Sequence, residues 1–237
     1  MAVRSLTHAA AVTHCADNKA MWDALFSVSP CGVNMSDSFL TREVNSAVIG
    51  TRKRVRLASS TVGLLWAIEI VDWLIFHGGL DGLGIHPRAL SGLLGIFFAP
   101  FLHAGFSHLI ANTIPLLVLG FLASSRKLMD VYVVALVSML VGGIGTWLFG
   151  GAGTVHLGAS GVVFGFLGFL MGRGFYERSA RSIALSTGVT LLFGGMLTGV
   201  LPTVGSGISW QGHLFGFLGG VLTARGMGRG LRVRKKK

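Results

Sequence analysis

Charge is scarce in this chain: 12% of its 237 residues are Asp, Glu, Lys or Arg, while 51% are hydrophobic. Soluble domains carry about 25% charged residues, so the composition excludes an ordinary water-soluble protein. Cysteine is scarcer still. Cys15 and Cys31, both in the polar N-terminal segment, are too few for a disulfide framework and are expected to stay reduced. The absence of any H-E-x-x-H removes the common zinc-protease class. No short apolar run with a basic front opens the chain, so the first apolar span is expected to serve as an uncleaved insertion signal.

What the chain has instead is apolar length. A helix needs about 20 apolar residues to cross a hydrocarbon core of about 30 Å, and Gly, Ser and Thr are admissible within it as helix-packing residues. Six stretches qualify: 58–76, 106–123, 131–150, 159–176, 183–201 and 210–225. The expected fold class is an all-α polytopic membrane protein, a six-helix transmembrane bundle. Residues 1–56 read as a loosely ordered cytoplasmic tail, with Met35 an alternative start. Residues 57–226 read as the membrane domain and 227–237 as a basic cytoplasmic tail.

The net charge of +11 invites a nucleic-acid reading, which the placement of the charge argues against. Sixteen of the 20 Lys and Arg fall at Arg52 to Arg56, at Arg126 and Lys127, at Arg173, Arg178 and Arg181, and from Arg225 to Lys237. These flank the membrane spans on one side, and the loops of the other side hold only Arg88. Positive residues mark the cytoplasmic face, so both termini are expected inside, in the plasma (inner) membrane, with the basic flanks against anionic headgroups of the bilayer.

With the N-terminus inside, the second, fourth and sixth spans all begin at the outer surface. His108 and Asn112, Ser160, and His213 lie in or near the first turns of those spans, so four polar groups converge at one depth. His108 and Asn112 are four apart on one helix face and could address one oxygen, or could each make a packing hydrogen bond to a neighbouring helix. Gly161, Gly165, Gly168 and Gly172 form a small-residue stripe on the fourth span, and Gly212, Gly216 and Gly220 form another on the sixth. Such stripes let helix backbones approach closely. Ser160 and His213 border them. A hydroxyl within about 3 Å of an imidazole is activated as it attacks a carbonyl, giving a Ser–His dyad. The Ser160 amide at a helix start, together with His108 and Asn112, could bind the oxyanion, a role worth about 10²–10³ in turnover per donor in a soluble protease. Position 162 is Val, so this is not the G-x-S-x-G elbow of soluble hydrolases. Glu69 and Asp72, three apart in the first span, read either as a proton or ion path or as a hydrogen-bonded brace for the 77–105 loop. His77, His86 and His156 read as solvated or loop-packing residues.

Taken together, the residues resemble the rhomboid intramembrane serine proteases over about residues 58–225. The resemblance rests on HAGFSHLIAN (His103, His108, Asn112), on GASG with Ser160, on GHLFGFLGG with His213, and on GIHPR and APFLHAGFSHL in the first outer loop. It implies Ser160 as nucleophile, flanked by Gly158 and Gly161, and His213 as general base. His108, Asn112 and the Ser160 amide become the oxyanion site, and His103 a structural histidine. It also implies cleavage of single-span membrane-anchored substrates near the outer face without metal or nucleotide, with the fifth span as a lateral gate. Two departures stand out: Phe164 occupies the place of the tyrosine that often stacks on the family's catalytic histidine, and the first outer loop lacks the Trp-Arg pair of some members. The rival readings are a transporter built on Glu69 and Asp72 and an inactive relative that binds membrane proteins.

Overall fold

The computed structural model describes residues 35–203 and 207–235. Cys15 and Cys31, with the rest of residues 1–34, lie outside the described residues. From Lys53 onward the described chain forms one compact unit. Every regular element among the described residues is helical, apart from a single antiparallel bridge between Ile85 and His156.

Among the described residues seven α-helices follow in order: α1 (Met35–Val71), α2 (Gly92–Phe98), α3 (Phe106–Ala123), α4 (Leu128–Phe149), α5 (Ser160–Glu177), α6 (Ala180–Phe193) and α7 (Trp210–Lys235). A π-helical turn, Asp72–Phe76, extends α1, and a 3-10 turn, Gly194–Val200, extends α6. Two helices run beyond the apolar spans: α1 begins at Met35, within the segment expected as the N-terminal tail, and α7 carries on through the basic residues to Lys235. Both extensions are polar, so the apolar content that located the spans gave no sign of them.

Four helical stretches among the described residues are long and apolar enough to cross a membrane: Arg42–Phe76, Phe106–Ala123, Leu128–Phe149 and Ala180–Val200. The composition of α5 and α7 is less apolar for a physical reason. They are the inner helices, and their glycines, chosen for approach rather than for contact with lipid, lower their hydropathy, as do Arg173 and Glu177 in α5. All eight residues of α5 from Val163 to Leu170 are buried.

The two glycine stripes meet. A Cβ at Gly216 would overlap the Gly161 carbonyl, and one at Gly220 would overlap the Gly165 carbonyl. α4 joins the same seam, where Gly142 faces the Gly216 backbone at 3.3 Å and Gly219 faces the Ser138 Cα at 3.0 Å from the Cβ position. At the opposite end from Ser160, Arg126 pairs with Asp130 (2.8 Å), Arg173 pairs with Glu177 (3.0 Å), and Arg173 also donates to the Ser125 hydroxyl (3.0 Å). These two arginines, read from sequence as facing headgroups, are therefore neutralised internally.

The segment between α1 and α3 is stapled down. Asp72 Oδ1 accepts the Leu80 N–H (3.0 Å), and Glu69 lies against the Gly105 amide, which is the brace arrangement of the two acids. Arg88 donates to the Gly150 carbonyl (2.8 Å), and Trp147 Nε1 donates to the Ala89 carbonyl (2.8 Å).

Alanine usually improves a helix over glycine by about 0.5–1 kcal/mol, so the seam makes an opposite and local forecast. Gly220→Ala should destabilise by about 1–3 kcal/mol because the obstacle is backbone, which cannot rotate away. Gly226→Ala, on the same helix with nothing within 4 Å of its Cβ position, should be neutral or stabilising. Thermal unfolding of the two variants in detergent measures the contrast.

Candidate active site at the outer ends of α3, α5 and α7

Ser160 is the first residue of α5. At that position its N–H has no carbonyl one turn back to bind, while the two preceding amides are occupied: Gly158 N–H donates to the Ala99 carbonyl (2.8 Å) and Ala159 N–H to His103 Nε2 (3.4 Å). Gly158 is required twice over. Its φ of 115° disfavours a side chain, and a Cβ there would lie 2.6 Å from His108 Cε1 and 2.7 Å from Nε2. The His108 imidazole thus packs against Gly158, two residues before Ser160. Asn112, one turn further along α3 and buried, donates one amide N–H to the His108 carbonyl (3.1 Å), which leaves its second N–H for another acceptor.

His213 sits in the first turn of α7, and two contacts fix its ring. Nδ1 is 2.9 Å from the Gly199 carbonyl, an oxygen that only accepts, so Nδ1 carries the proton and Nε2 keeps its lone pair. Phe164 stacks on the imidazole with ring centroids 4.2 Å apart and 10° between planes. Phe164 lies four residues after Ser160, on the same face of α5. Between the two helices, a Cβ at Gly161 would stand 3.3 Å from the Gly212 carbonyl, so the residues next to Ser160 and to His213 touch backbone to backbone. The absent tyrosine hydroxyl does not alter the stack.

Several participants carried no sequence signal. Gly199, in the turn after α6, supplies the carbonyl that holds His213 Nδ1, and a Cβ there would reach Phe164 (3.0 Å) and His213 (3.2 Å). His156 is no free solvated residue: Nδ1 meets the Ser209 hydroxyl and Nε2 the Thr154 hydroxyl, each at 2.8 Å, and Ser209 leads into α7. Burial pushes the His156 pKa down. A cavity of about 40 Å³, lined by Ser160, Thr146, His156 and Ser209 among others, has room for water beside the serine.

His103 is 1% exposed and stands edge-on to His108 with centroids 5.1 Å apart. Because Nε2 accepts the Ala159 N–H, its proton belongs on Nδ1, which has no partner among the described residues.

The family profile described as Rhomboid domain matches residues 91–230. The chain belongs to the rhomboid family. That match takes in α2 through most of α7, and with them every residue of the site above. Similar proteins include uncharacterized proteins of Mycobacterium tuberculosis strain H37Rv and Mycobacterium leprae. Each is 44% identical over 170 residues, 69% of this chain, and the aligned region covers 70% of the former and 67% of the latter. Family membership and the four apolar stretches make this a multi-pass integral membrane protein of a family of intramembrane proteases.

Burial first, and then the neighbouring His108, hold the His103 pKa down at about 4, below the usual histidine value. The folded state thus prefers the neutral ring. Its stabilising share is complete above about pH 6.5 and is lost as the pH falls from there toward 4. The melting temperature in detergent should drop between about pH 7 and about pH 4.5. His103→Gln, which keeps an acceptor for Ala159 but cannot titrate, should melt lower at neutral pH and show a smaller drop on acidification.

Proposed function

We propose that this rhomboid is an intramembrane serine endopeptidase working by a Ser160–His213 dyad. The observation that carries the reading is the double constraint on His213: Nδ1 is committed to the Gly199 carbonyl and the ring face to Phe164, one turn from Ser160. Nε2 thereby keeps its lone pair and can serve as a base. In the proposed reaction Nε2 takes the Ser160 hydroxyl proton as Oγ attacks the substrate carbonyl. The oxyanion is received by the Ser160 N–H, the free Asn112 N–H and His108. The imidazolium returns its proton to the departing amine, and water then cleaves the ester with His213 again as base.

The same reading has six membrane-crossing helices, α1 and α3 to α7, both termini cytoplasmic and a plasma-membrane location, in keeping with the one-sided basic residues. Substrates are single-span membrane proteins that unwind near the outer face, since the backbone of a lipid-embedded helix is otherwise fully hydrogen-bonded. Only Ser182 and Val189 of α6 are buried, which suits α6 as the lateral gate. The transporter reading loses its main support, because Asp72 is engaged in holding the Gly79–Leu83 turn.

Purified protein incubated with a single-span substrate should release two fragments. Ser160→Ala and His213→Ala should each lower the rate by at least about 10³. A fluorophosphonate probe should label wild type and not Ser160→Ala. Cleavage that survives both substitutions would refute the dyad, and a folded wild type that neither cleaves nor labels would favour the inactive relative.

A further inference from the structure

Away from the serine lies a larger cavity, about 340 Å³, walled by α1, α3, α4 and α5. On α1 its lining runs from Arg54 to Leu65, a rise of about 16 Å for eleven residues, so the space is a slot along the bundle axis. Its far end reaches Phe101, Ala159 and Val162. The rim residues Tyr132, Leu136 and Phe101 are exposed, which opens the slot to the surroundings of the bundle.

The shape and chemistry of the slot choose among occupants. It is lined almost wholly by apolar side chains, runs lengthwise along the bundle and opens to its surroundings, which suits an extended hydrocarbon chain. The walls are apolar apart from Arg54, Ser124 and the Tyr132 hydroxyl, and Thr61 part-way along, whose hydroxyl is engaged by the Leu57 carbonyl.

The charge at that end is unbalanced. Arg54 is half-buried while its neighbours Lys53 and Arg56 are exposed. Its guanidinium meets only the Ser125 carbonyl, at 3.4 Å, and no carboxylate among the described residues lies within ion-pair distance. Arg126 and Arg173, at the same end of the bundle, are both paired with carboxylates. A half-buried cation without a counter-charge at the mouth of an apolar slot is complementary to a phosphate joined to an acyl chain.

We infer that this slot is a binding site for one acyl chain of an anionic glycerophospholipid, with the lipid phosphate on Arg54. Because the slot ends at Ala159 and Val162, on either side of Ser160 and Gly161, a bound chain fills the space behind the start of α5 and braces it. The inference does not depend on proteolytic activity.

The full-length protein in detergent is titrated with dioleoyl phosphatidylglycerol, with dioleoyl phosphatidylcholine as the uncharged-headgroup control, and lipid retention is read by native mass spectrometry. Wild type should retain one phosphatidylglycerol at least five-fold more readily than phosphatidylcholine. Arg54→Gln should abolish that preference, and Arg56→Gln should leave it intact. Ala135→Phe, which fills the slot, should lower retention of both lipids at least five-fold, and Ala58→Leu serves the same purpose if the larger ring prevents folding. Glycerol phosphate, the headgroup without chains, should not compete. The inference is overturned if Arg56→Gln is as damaging as Arg54→Gln, if slot-filling leaves retention unchanged, or if glycerol phosphate competes equally.

Discussion

Lipid tails are as apolar as leucine, so two helices in a bilayer gain little by burying large side chains against each other; they gain by coming close enough for backbone to meet backbone. The contact of Gly161 with Gly216 and of Gly165 with Gly220 is such an approach. It leaves carbonyl oxygens against Cα hydrogens, weak contacts that add up along a seam. The ring stack is indexed to this seam: Phe164 precedes Gly165 by one residue and His213 precedes Gly216 by three, so their 4.2 Å spacing follows from glycines that carry no chemistry. A side chain that forces the helices apart would separate the rings by the same amount.

Around this rigid pair, hydrogen-bond accounting explains the loops. Irregular backbone beside a membrane survives only where protein satisfies it. The amides of Gly158 and Ala159 are taken by Ala99 and His103, the Leu80 amide by Asp72, and the last carbonyls of α4 by Arg88. α6 is the exception to this rigidity. It buries only Ser182 and Val189, yet the turn that follows it supplies the Gly199 carbonyl that orients His213. A sparsely packed helix is thus joined to the imidazole.

These two kinds of constraint differ in how they are written in the chain. Helix seams are periodic, so the stripes at 161, 165, 168 and 172 and at 212, 216 and 220 were readable, and with them the placement of Ser160 and His213. His108 and Asn112 were readable as one face. Arg88 was noted, but its partners are carbonyls 60 and 62 residues away, and backbone carbonyls are identical at every position of a sequence. Gly199 was invisible for the same reason. Asp130 and Glu177 went unremarked because a carboxylate four residues from an arginine is commonplace, and only burial of both partners gives it weight. The helical stretch 35–56 escaped because polar helix has no apolar period to detect.

A carbonyl rather than a carboxylate beside the His213 ring suits the medium. A carboxylate next to His213 would have to be stripped of water in a low-dielectric interior, at a cost of several kcal/mol that its attraction for the ring must repay. The Gly199 carbonyl arrives already desolvated by the turn that contains it, and it fixes the tautomer just as well. What it gives up is the full Coulombic attraction for an imidazolium. Phe164 offsets part of that loss, because a cation over an aromatic face gains about 0.5–2 kcal/mol. The ring face does this, not a hydroxyl at its edge, so phenylalanine in place of tyrosine is consistent with the mechanism proposed for this site.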